Sequence, residues 1–263
     1  PGPGEPASGR PAALGYLSRV GQNAPRDSQD PPARVREAER FARRVLPDVS
    51  RTFAISIRFL PGVLGRAVLT SYLLCRIADT IEDDAAAVPG RKEALLDAFL
   101  RCLRDRHAAE SFPVVAADVT GDPAHVELLR HTDLVCVLLR SLPDATRDRV
   151  VHWVGVMVHG MRKFIGLYPA GIRIQTVDEY KEYCYYVAGT VGCLLTELWA
   201  LHGPGVGKPE FDRLWVKCEQ FGEALQTVNI LKDIAWDAQH ENAIYIPERA
   251  LVEHGSGHGT LLS

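Results

Sequence analysis

The sequence lacks the charge bias and the cysteine spacing of several common protein classes. Its 263 residues carry a formal net charge of −3, so no overall positive potential favours nucleic acid as a partner. The six cysteines are Cys75, Cys102, Cys136, Cys184, Cys193 and Cys218. None forms a CxxC pair, which argues against a zinc ribbon or a thioredoxin-type site. Four lie in apolar helical stretches, so we interpret the cysteines as reduced core residues of a cytoplasmic protein.

Long apolar runs are also missing. No run of about 18 apolar residues is recognisable, so we expect no membrane-spanning segment. The Pro/Gly-rich start has no apolar core of a secretory signal. Peripheral contact with a membrane through an apolar surface patch stays open.

Prolines and glycines are unevenly distributed and divide the chain. Seven of the 17 prolines precede Ala33, so we predict a disordered leader over residues 1–33 and one domain over 34–263. Apolar residues then recur at helical spacing, and no set of strands is recognisable. The sequence therefore predicts an all-α, single-domain bundle of about eight helices. Among the expected segments are helices over Ala33–Val45 (stopped near Pro47), Leu64–Asp83, His125–Leu142 and Glu210–Asp237, and a loop with one short element over 107–124.

The first acidic motif reads Arg76-Ile-Ala-Asp-Thr-Ile-Glu-Asp-Asp. Asp79, Glu82 and Asp83 are three or four residues apart on the predicted helix, where like charges repel each other. Tyr72 and Arg76 fall on the same face. A helix that keeps this acidic face is expected to hold cations there.

The second motif places Gln226, Asn229, Asp233 and Asp237 within about 80° of one helix face. Oxygen ligands at this spacing suit Mg²⁺, and the absence of histidine and cysteine from both faces argues against zinc. A single DxxxD pair is usually just a solvated face. Two such pairs on apolar helices favour a metal site that holds a diphosphate.

The chemistry of diphosphate departure explains why two such motifs occur in one chain. Mg²⁺ and cationic side chains absorb the charge that develops on the leaving group. The remaining carbocation must be shielded from water in a closed cavity with aromatic faces. Two metal sites would let one diphosphate ionise while a second is held as acceptor.

Four blocks in consistent order, over about residues 40–250, resemble the squalene and phytoene synthases, the head-to-head prenyl synthases. The blocks are Val49–Phe53 (VSRTF), Tyr72–Asp83, Tyr183–Gly192 and Gln226–Asp233. The resemblance implies the isoprenoid (terpenoid) synthase fold. It also implies Mg²⁺-dependent condensation of two prenyl diphosphates through a cyclopropylcarbinyl diphosphate intermediate.

The resemblance also implies roles for individual residues. One metal cluster would be held by Asp79, Glu82 and Asp83, and the other by Asn229, Asp233 and Asp237. The diphosphate contacts would be Ser50, Arg51, Arg76 and Lys232. The cavity would be lined by Phe53 and Tyr72, which could equally be plain core residues. The residues near the carbocation would be Tyr183 and Gln226.

Three departures from the family pattern leave parts of this interpretation open. Trp236 stands where the family usually has a carboxylate, which puts a full second metal cluster in doubt. The segment from Gln239 to Pro247 replaces a Gly/Arg-rich loop near the expected NADPH site, so the use of NADPH is open. Tyr185 replaces a common histidine. The family also continues for several helices beyond Ser263, so we expect the C-terminal helices to be missing.

The interpretation that the residues favour is a farnesyl-diphosphate farnesyltransferase that makes squalene. The expected partner is farnesyl diphosphate, and peripheral membrane contact would assist release of an apolar product. A phytoene or dehydrosqualene synthase without a reduction step is the nearest alternative. A non-catalytic isoprenoid-binding protein of the same fold is a second one.

Overall fold

The computed structural model describes residues 30–50 and 53–261, and over these residues the protein is built from helices. The α-helices are α1 Pro32–Val49, α2 Phe53–Arg58, α3 Gly62–Glu82, α4 Pro89–Cys102, α5 Arg106–Val115, α6 Pro123–Arg130, α7 Thr132–Ser141, α8 Asp144–Leu167, α9 Val177–Cys184, α10 Thr190–His202, α11 Lys208–Trp236 and α12 Glu248–Glu253. Two π-helical turns, Tyr185–Gly189 and Asp237–Glu241, follow α9 and α11. The predicted all-α class is confirmed, although the described segments hold twelve α-helices rather than about eight.

Helix α1 continues past the proline that was expected to stop it. It begins at Pro32 and ends at Val49, with Pro47 inside its last turn. Leu46 and Val49 on either side of this proline are buried against the bundle. A proline so near the C-terminus removes only one intrahelical hydrogen bond, and the packing of these side chains offsets that loss.

Residues 107–124 hold most of one short helix, α5, followed by a loop, as predicted. The Asp105 side chain accepts hydrogen bonds from the N–H groups of His107 and Ala108 and caps the first turn of this helix. The segment after it differs from the prediction. The single helix expected over 125–142 is divided into α6 and α7 at His131, which has φ −114° and ψ 28°. The His131 ring lies 2.8 Å from the carbonyl of Glu127 through Nδ1, a side-chain contact that competes with helix continuation.

Helix α3 lies at the centre of the bundle and packs against α1, α4, α6, α7, α8 and α10. Its apolar residues Leu73, Leu74, Ile77, Ala78 and Ile81 are completely buried. Burying a leucine or isoleucine stabilises a fold by about 1.5–3 kcal/mol. The acidic residues at the end of α3 are therefore held by one of the most firmly packed helices of the described structure.

A smaller aromatic cluster lies beside this core, and we call Phe164, Tyr183 and Tyr245 the aromatic cluster. Tyr183 stacks on Tyr245, with ring centroids 4.7 Å apart, and meets Phe164 edge-on at 5.1 Å. An isolated parallel bridge between Arg173 and Ile244 joins the two loops that frame the cluster. The N–H of Ile244 donates to Ile172 at 2.8 Å, which fixes the position of the adjacent Tyr245.

Helix α11 closely approaches α10 and the π-helical turn before it at two glycines. A Cβ atom on Gly192 would lie 2.1 Å from the carbonyl oxygen of Cys218, and one on Gly222 would lie 2.3 Å from that of Ala188. Beside this contact the Sγ atoms of Cys193 and Cys218 are 3.2 Å apart. All six cysteines are free, and all but Cys75 are buried, as expected of core residues.

One stretch, Val177–His202, passes a length and composition criterion for crossing a membrane. It has 26 residues, and its most apolar 18-residue window has a mean hydropathy of 1.3 and is 39% buried. A single stretch of this kind is weak support for a membrane span, because core helices of soluble proteins pass the same criterion. The expectation that no segment spans a membrane stays a prediction.

Candidate active site

The first acidic motif occupies the C-terminal end of α3 and is largely buried. Glu82 is 6% exposed, and its Oε1 atom has no hydrogen-bond partner among the described residues. Burial, and then the charge of Asp79, raise the pKa of Glu82 to about 8. Burial and the carboxylate of Glu241 raise the pKa of Asp83 well above its usual value. These carboxyl groups therefore lack the positive charge needed to neutralise them together.

Arg76 is the main cation on the same face of α3. Its Nη1 lies 3.4 Å from Oδ2 of Asp79, and its Nη2 lies 3.5 Å from the hydroxyl of Tyr72. The Tyr72 hydroxyl in turn donates to the carbonyl of Val49 at 2.9 Å. Burial works to lower the pKa of Arg76, but Asp79 and Tyr72 raise it overall, so the guanidinium stays charged. This arrangement holds a permanent positive charge beside the acidic end of α3.

The second motif lies on the C-terminal half of α11 and is more exposed than the first. Asn229 is exposed, whereas Gln226, Asp233 and Asp237 are half-buried. Burial, followed by the charges of Glu241 and Asp233, raises the pKa of Asp237 to about 7. The Nζ atom of the exposed Lys232 lies 3.3 Å from Oδ2 of Asp233.

Trp236 directly precedes Asp237 and borders the face of the second motif. Its side chain is 58% exposed and stacks on His240, with ring centroids 3.8 Å apart and an interplanar angle of 17°. The indole therefore lies on the exposed surface at the end of α11.

Tyr183 is buried close to Glu82 and Asp83. It is 3% exposed, and burial together with the nearby Glu82 raises the pKa of its hydroxyl well above the usual value. The π-helical turn Tyr185–Gly189 lies within the Tyr183–Gly192 block. Such turns are frequent at functional sites. The structure thus brings Tyr183 to the end of α3 that carries Glu82 and Asp83.

Comparison with known proteins decides the family. The family model of squalene/phytoene synthase matches residues 46–263. The chain belongs to the squalene/phytoene synthase family. It is 32% identical to squalene synthase 1 of Arabidopsis thaliana over 197 residues, which are 75% of this chain and 44% of that protein. It is also 32% identical to a presqualene diphosphate synthase of Botryococcus braunii over 201 residues, 76% of this chain and 46% of that protein.

Solved structures agree with this assignment. The complex of TcSQS with the ligand BPH1237 superposes with a TM-score of 0.71 at 29% identity, over 83% of this chain and 60% of that chain. The isoprenoid-synthase fold implied by the sequence resemblance is therefore confirmed. The chain spans less than half the length of the curated relatives it matches.

The N-terminal block of the squalene/phytoene synthase family is only partly described. Ser50 is 5% exposed, and its Oγ accepts a hydrogen bond from the N–H of Phe53 at 3.1 Å. Phe53 is 45% exposed, with its ring 6.2 Å from that of Tyr72, so it is not a plain core residue. Arg51 lies outside the described residues.

The structure adds three residues that sequence reasoning did not assign to the site. Glu241 interacts electrostatically with carboxylates of both motifs, including Asp79 and Asp233. Tyr245 packs on Tyr183, and its place in the segment from Gln239 to Pro247 was the one signal for it. Lys92 donates from Nζ to the carbonyl of Glu82 at 2.5 Å, and no sequence pattern pointed to it.

The chemistry of the donor atoms at this site suits a hard divalent cation such as Mg²⁺, but the described residues hold no preformed group of three or more acidic, histidine or cysteine side chains placed to bind one. The donor atoms are oxygens, which hard cations prefer. The buried Oε1 of Glu82 has no partner among the described residues. Burial raises the pKa values of Asp79, Glu82 and Asp83, and repulsion from neighbouring carboxylates adds to the rise at Glu82 and Asp83. A bound cation would remove both of these unfavourable features. Asp79, Glu82 and Asp83 would hold it on α3, and Asn229, Asp233 and Asp237 on α11.

Proposed function

We propose that this chain carries the catalytic helices of a Mg²⁺-dependent prenyltransferase that condenses two farnesyl diphosphates head to head, with squalene as product. The observation that carries the proposal is the buried acidic end of α3, where Glu82 has an unpartnered carboxylate oxygen. A buried carboxyl group with an unpartnered oxygen costs stability, and a bound cation or ligand would compensate for that cost. Membership of the squalene/phytoene synthase family supports diphosphate as that ligand.

The cationic side chains would hold the diphosphate in place. Arg76 stays charged beside Asp79, and Lys92 and Lys232 lie next to Glu82 and Asp233. Bound Mg²⁺ would supply the additional positive charge that lets a diphosphate leave an allylic carbon. Arg76 would stabilise the same leaving group by charge-assisted hydrogen bonds.

The aromatic cluster would protect and stabilise the positive charge left on the prenyl chain. Tyr183 and Tyr245 stack beside the acidic region and are both buried, so water is excluded on that side. Aromatic faces attract a cation, and a desolvated contact of this kind contributes about 2 kcal/mol. The raised pKa of Tyr183 keeps its hydroxyl protonated, which favours a role in charge stabilisation.

The step that follows condensation depends on the loop after α11. The relatives of this chain include squalene synthases and a presqualene diphosphate synthase, at the same 32% identity. NADPH would be the reductant if squalene is the product. A product without reduction, such as phytoene or dehydrosqualene, is the alternative, and we propose cytoplasmic action with peripheral membrane contact for release of either apolar product.

The decisive experiment incubates the protein with farnesyl diphosphate and Mg²⁺, with and without NADPH, and identifies products by mass. Squalene formed only with NADPH supports the main proposal, and an unreduced hydrocarbon formed in both arms supports the alternative. The Asp83→Asn variant is expected to lower turnover at least about 100-fold, because it removes a carboxylate that would hold the cation.

The control is Asp148→Asn, which changes an exposed aspartate of α8 far from both motifs in sequence. It should leave turnover unchanged. If no farnesyl diphosphate is consumed in any arm, or if Asp83→Asn turns over like the control, the proposed activity is wrong. The first of these results would instead favour a non-catalytic isoprenoid-binding protein.

A further inference from the structure

A surface cavity lies beside the N-terminal part of α3, at the end of the helix opposite the acidic motif. Its volume is about 460 Å³, which is within the range of small-molecule sites. Its apolar lining includes the buried Leu46, Ile57 and Leu69. Arg66 also lines the cavity, and Arg66 and Asp79 are about 20 Å apart along the α3 axis. The cavity is therefore separate from the candidate active site.

The charged lining of this cavity is mainly positive. Arg43 of α1, Arg58 at the end of α2 and Arg66 of α3 line it, and the one carboxylate in the lining is Glu39. Among the described residues, none of the three guanidinium groups forms an ion pair or donates a hydrogen bond. A guanidinium group is always charged and binds phosphate oxygens in pairs. The cavity therefore favours a ligand that carries a phosphate.

Helix α1 extends the positive surface beyond the cavity. Arg36, Arg40 and Arg43 are exposed and lie within about 60° of one helix face. Arg36 and Arg40 also lack an ion-pair partner within the described part of the chain. Because the whole chain carries a net charge of −3, this row of arginines is a local concentration of positive charge. Such a surface is complementary to an anionic membrane.

Exposed apolar side chains border the same cavity. Phe59 lies between the lining residues Arg58 and Leu60 and is 82% exposed, the largest fraction among the large apolar side chains of the described residues. Ile55, one turn earlier on α2, is 64% exposed. Apolar side chains beside arginines are typical of surfaces that enter the interface of an anionic bilayer. A soluble phosphate would need the arginines alone, so these side chains favour a lipid.

We propose that the cavity between α1, α2 and α3 docks the protein on an anionic phospholipid surface. Arg43, Arg58 and Arg66 hold the phosphate of a lipid headgroup, while Phe59 and Ile55 enter the layer below it. The inference rests on the proposed function for its purpose, the transfer of an apolar product to a bilayer. It gives the proposed peripheral membrane contact a defined surface, at the end of α3 that the acidic motif does not occupy.

The test is co-sedimentation with vesicles of phosphatidylcholine, with and without phosphatidylglycerol. The unchanged protein should bind the anionic vesicles more tightly, and binding should weaken as salt screens the charges. Arg43→Gln and Arg58→Gln should each weaken this binding about 5-fold, the contribution of one basic residue near an anionic surface. Phe59→Ser should weaken it about 10-fold, because an apolar side chain no longer leaves water.

Two matched controls change the same residue types at other exposed positions. Arg104→Gln lies between α4 and α5, and Phe221→Ser lies on α11, where the side chain is 61% exposed. Both should bind vesicles like the unchanged protein. Unchanged binding in Arg58→Gln and Phe59→Ser overturns the inference, and so does a loss that Phe221→Ser shows and Phe59→Ser does not.

Inorganic phosphate, titrated without vesicles, separates a lipid from a soluble anion. If it binds the unchanged protein but not Arg58→Gln, while anionic vesicles are not bound, the cavity takes a soluble anion and the inference is wrong.

Farnesyl diphosphate consumption in the absence of vesicles separates this inference from the proposed function. Phe59→Ser should consume it like the unchanged protein. If the unchanged protein consumes farnesyl diphosphate but does not bind anionic vesicles, the docking surface is wrong and the proposed function stands. If it binds these vesicles through Arg58 and Phe59 but consumes no farnesyl diphosphate, the proposed activity is wrong and the docking surface stands.

Discussion

Helices α3 and α11 each carry one acidic motif, yet their surroundings are opposite. Fourteen of the 21 residues of α3 are buried, whereas α11 buries only Cys218, Gly222 and Ile230 among its 29 residues. Large apolar side chains of α11 are exposed, namely Leu214, Val216, Phe221, Leu225, Val228, Leu231 and Trp236. The acidic motif of α3 is therefore positioned by the buried core. The motif of α11 is positioned by a few close contacts of that helix and by the charged residues around it.

The largest effect should come from truncating the same residue type on the two helices. Leu73→Ala on α3 removes a completely buried side chain and should lower the free energy of unfolding by about 2–5 kcal/mol. Leu214→Ala on α11, where the side chain is 46% exposed, should change it by less than about 0.5 kcal/mol. Urea unfolding followed by circular dichroism measures both. Equal losses would show that α11 is as firmly packed in solution as α3.

A smaller effect should come from the glycine contact that holds α11 to α10. Gly192→Ala places a Cβ atom 2.1 Å from the backbone oxygen of Cys218, so the helices must separate, and the loss should be about 1–3 kcal/mol. Gly155→Ala on α8 is the matched control, since no atom lies within 4 Å of its Cβ position. This control should gain up to about 1 kcal/mol from the higher helix propensity of alanine. A neutral Gly192→Ala would mean that α11 is held by other contacts.

The smallest effect is the pH dependence of stabilisation by Mg²⁺. The pKa of Glu82 is raised from 4.5 to about 8, so the folded protein binds more protons than the unfolded chain between these values. The metal-free protein should therefore lose stability as pH rises from about 5 to 8, and should keep it below pH 4.5 with respect to this group. If Mg²⁺ binds these carboxylates as proposed, it competes with their protons, so it should raise Tm little at pH 5.5 and by about 5 °C at pH 8.

Differential scanning fluorimetry with Mg²⁺ or EDTA measures this dependence. Asp83→Asn should flatten it, whereas Asp148→Asn should not. A Mg²⁺ effect that is equal at both pH values would contradict the idea that the acidic region is poorly neutralised without metal.

Residues on regular helices were predictable from the sequence, and those that depend on packing were not. The spacing of Asp79, Glu82 and Asp83 follows directly from helical periodicity, and so does the shared face of Asn229, Asp233 and Asp237. The break between α6 and α7 at His131 depends on a side-chain contact. The continuation of α1 through Pro47 depends on buried neighbours. Both predictions were wrong because the local sequence pattern does not contain these contacts.

The candidate site shows the same division. Glu241 could not be assigned to the site from the sequence, because the direction of its side chain depends on the π-helical turn Asp237–Glu241. A projection on a regular α-helix would have placed Glu241 too far around the helix axis from Asp233. Trp236 seemed to interrupt the second motif, yet its ring faces solvent and stacks on His240. Lys92 reaches Glu82 from α4, a contact between separate segments that no motif records.

The stack of Trp236 on His240 gives the protein an internal optical reporter. Of its four tryptophans, Trp236 has the exposed indole, at 58%, and it lies directly before the turn that carries Glu241. Any rearrangement of the turn Asp237–Glu241 would alter the stack and with it the emission of the indole. The emission of this residue can therefore follow events at the end of α11 without an added dye, against the background of the less exposed Trp153, Trp199 and Trp215.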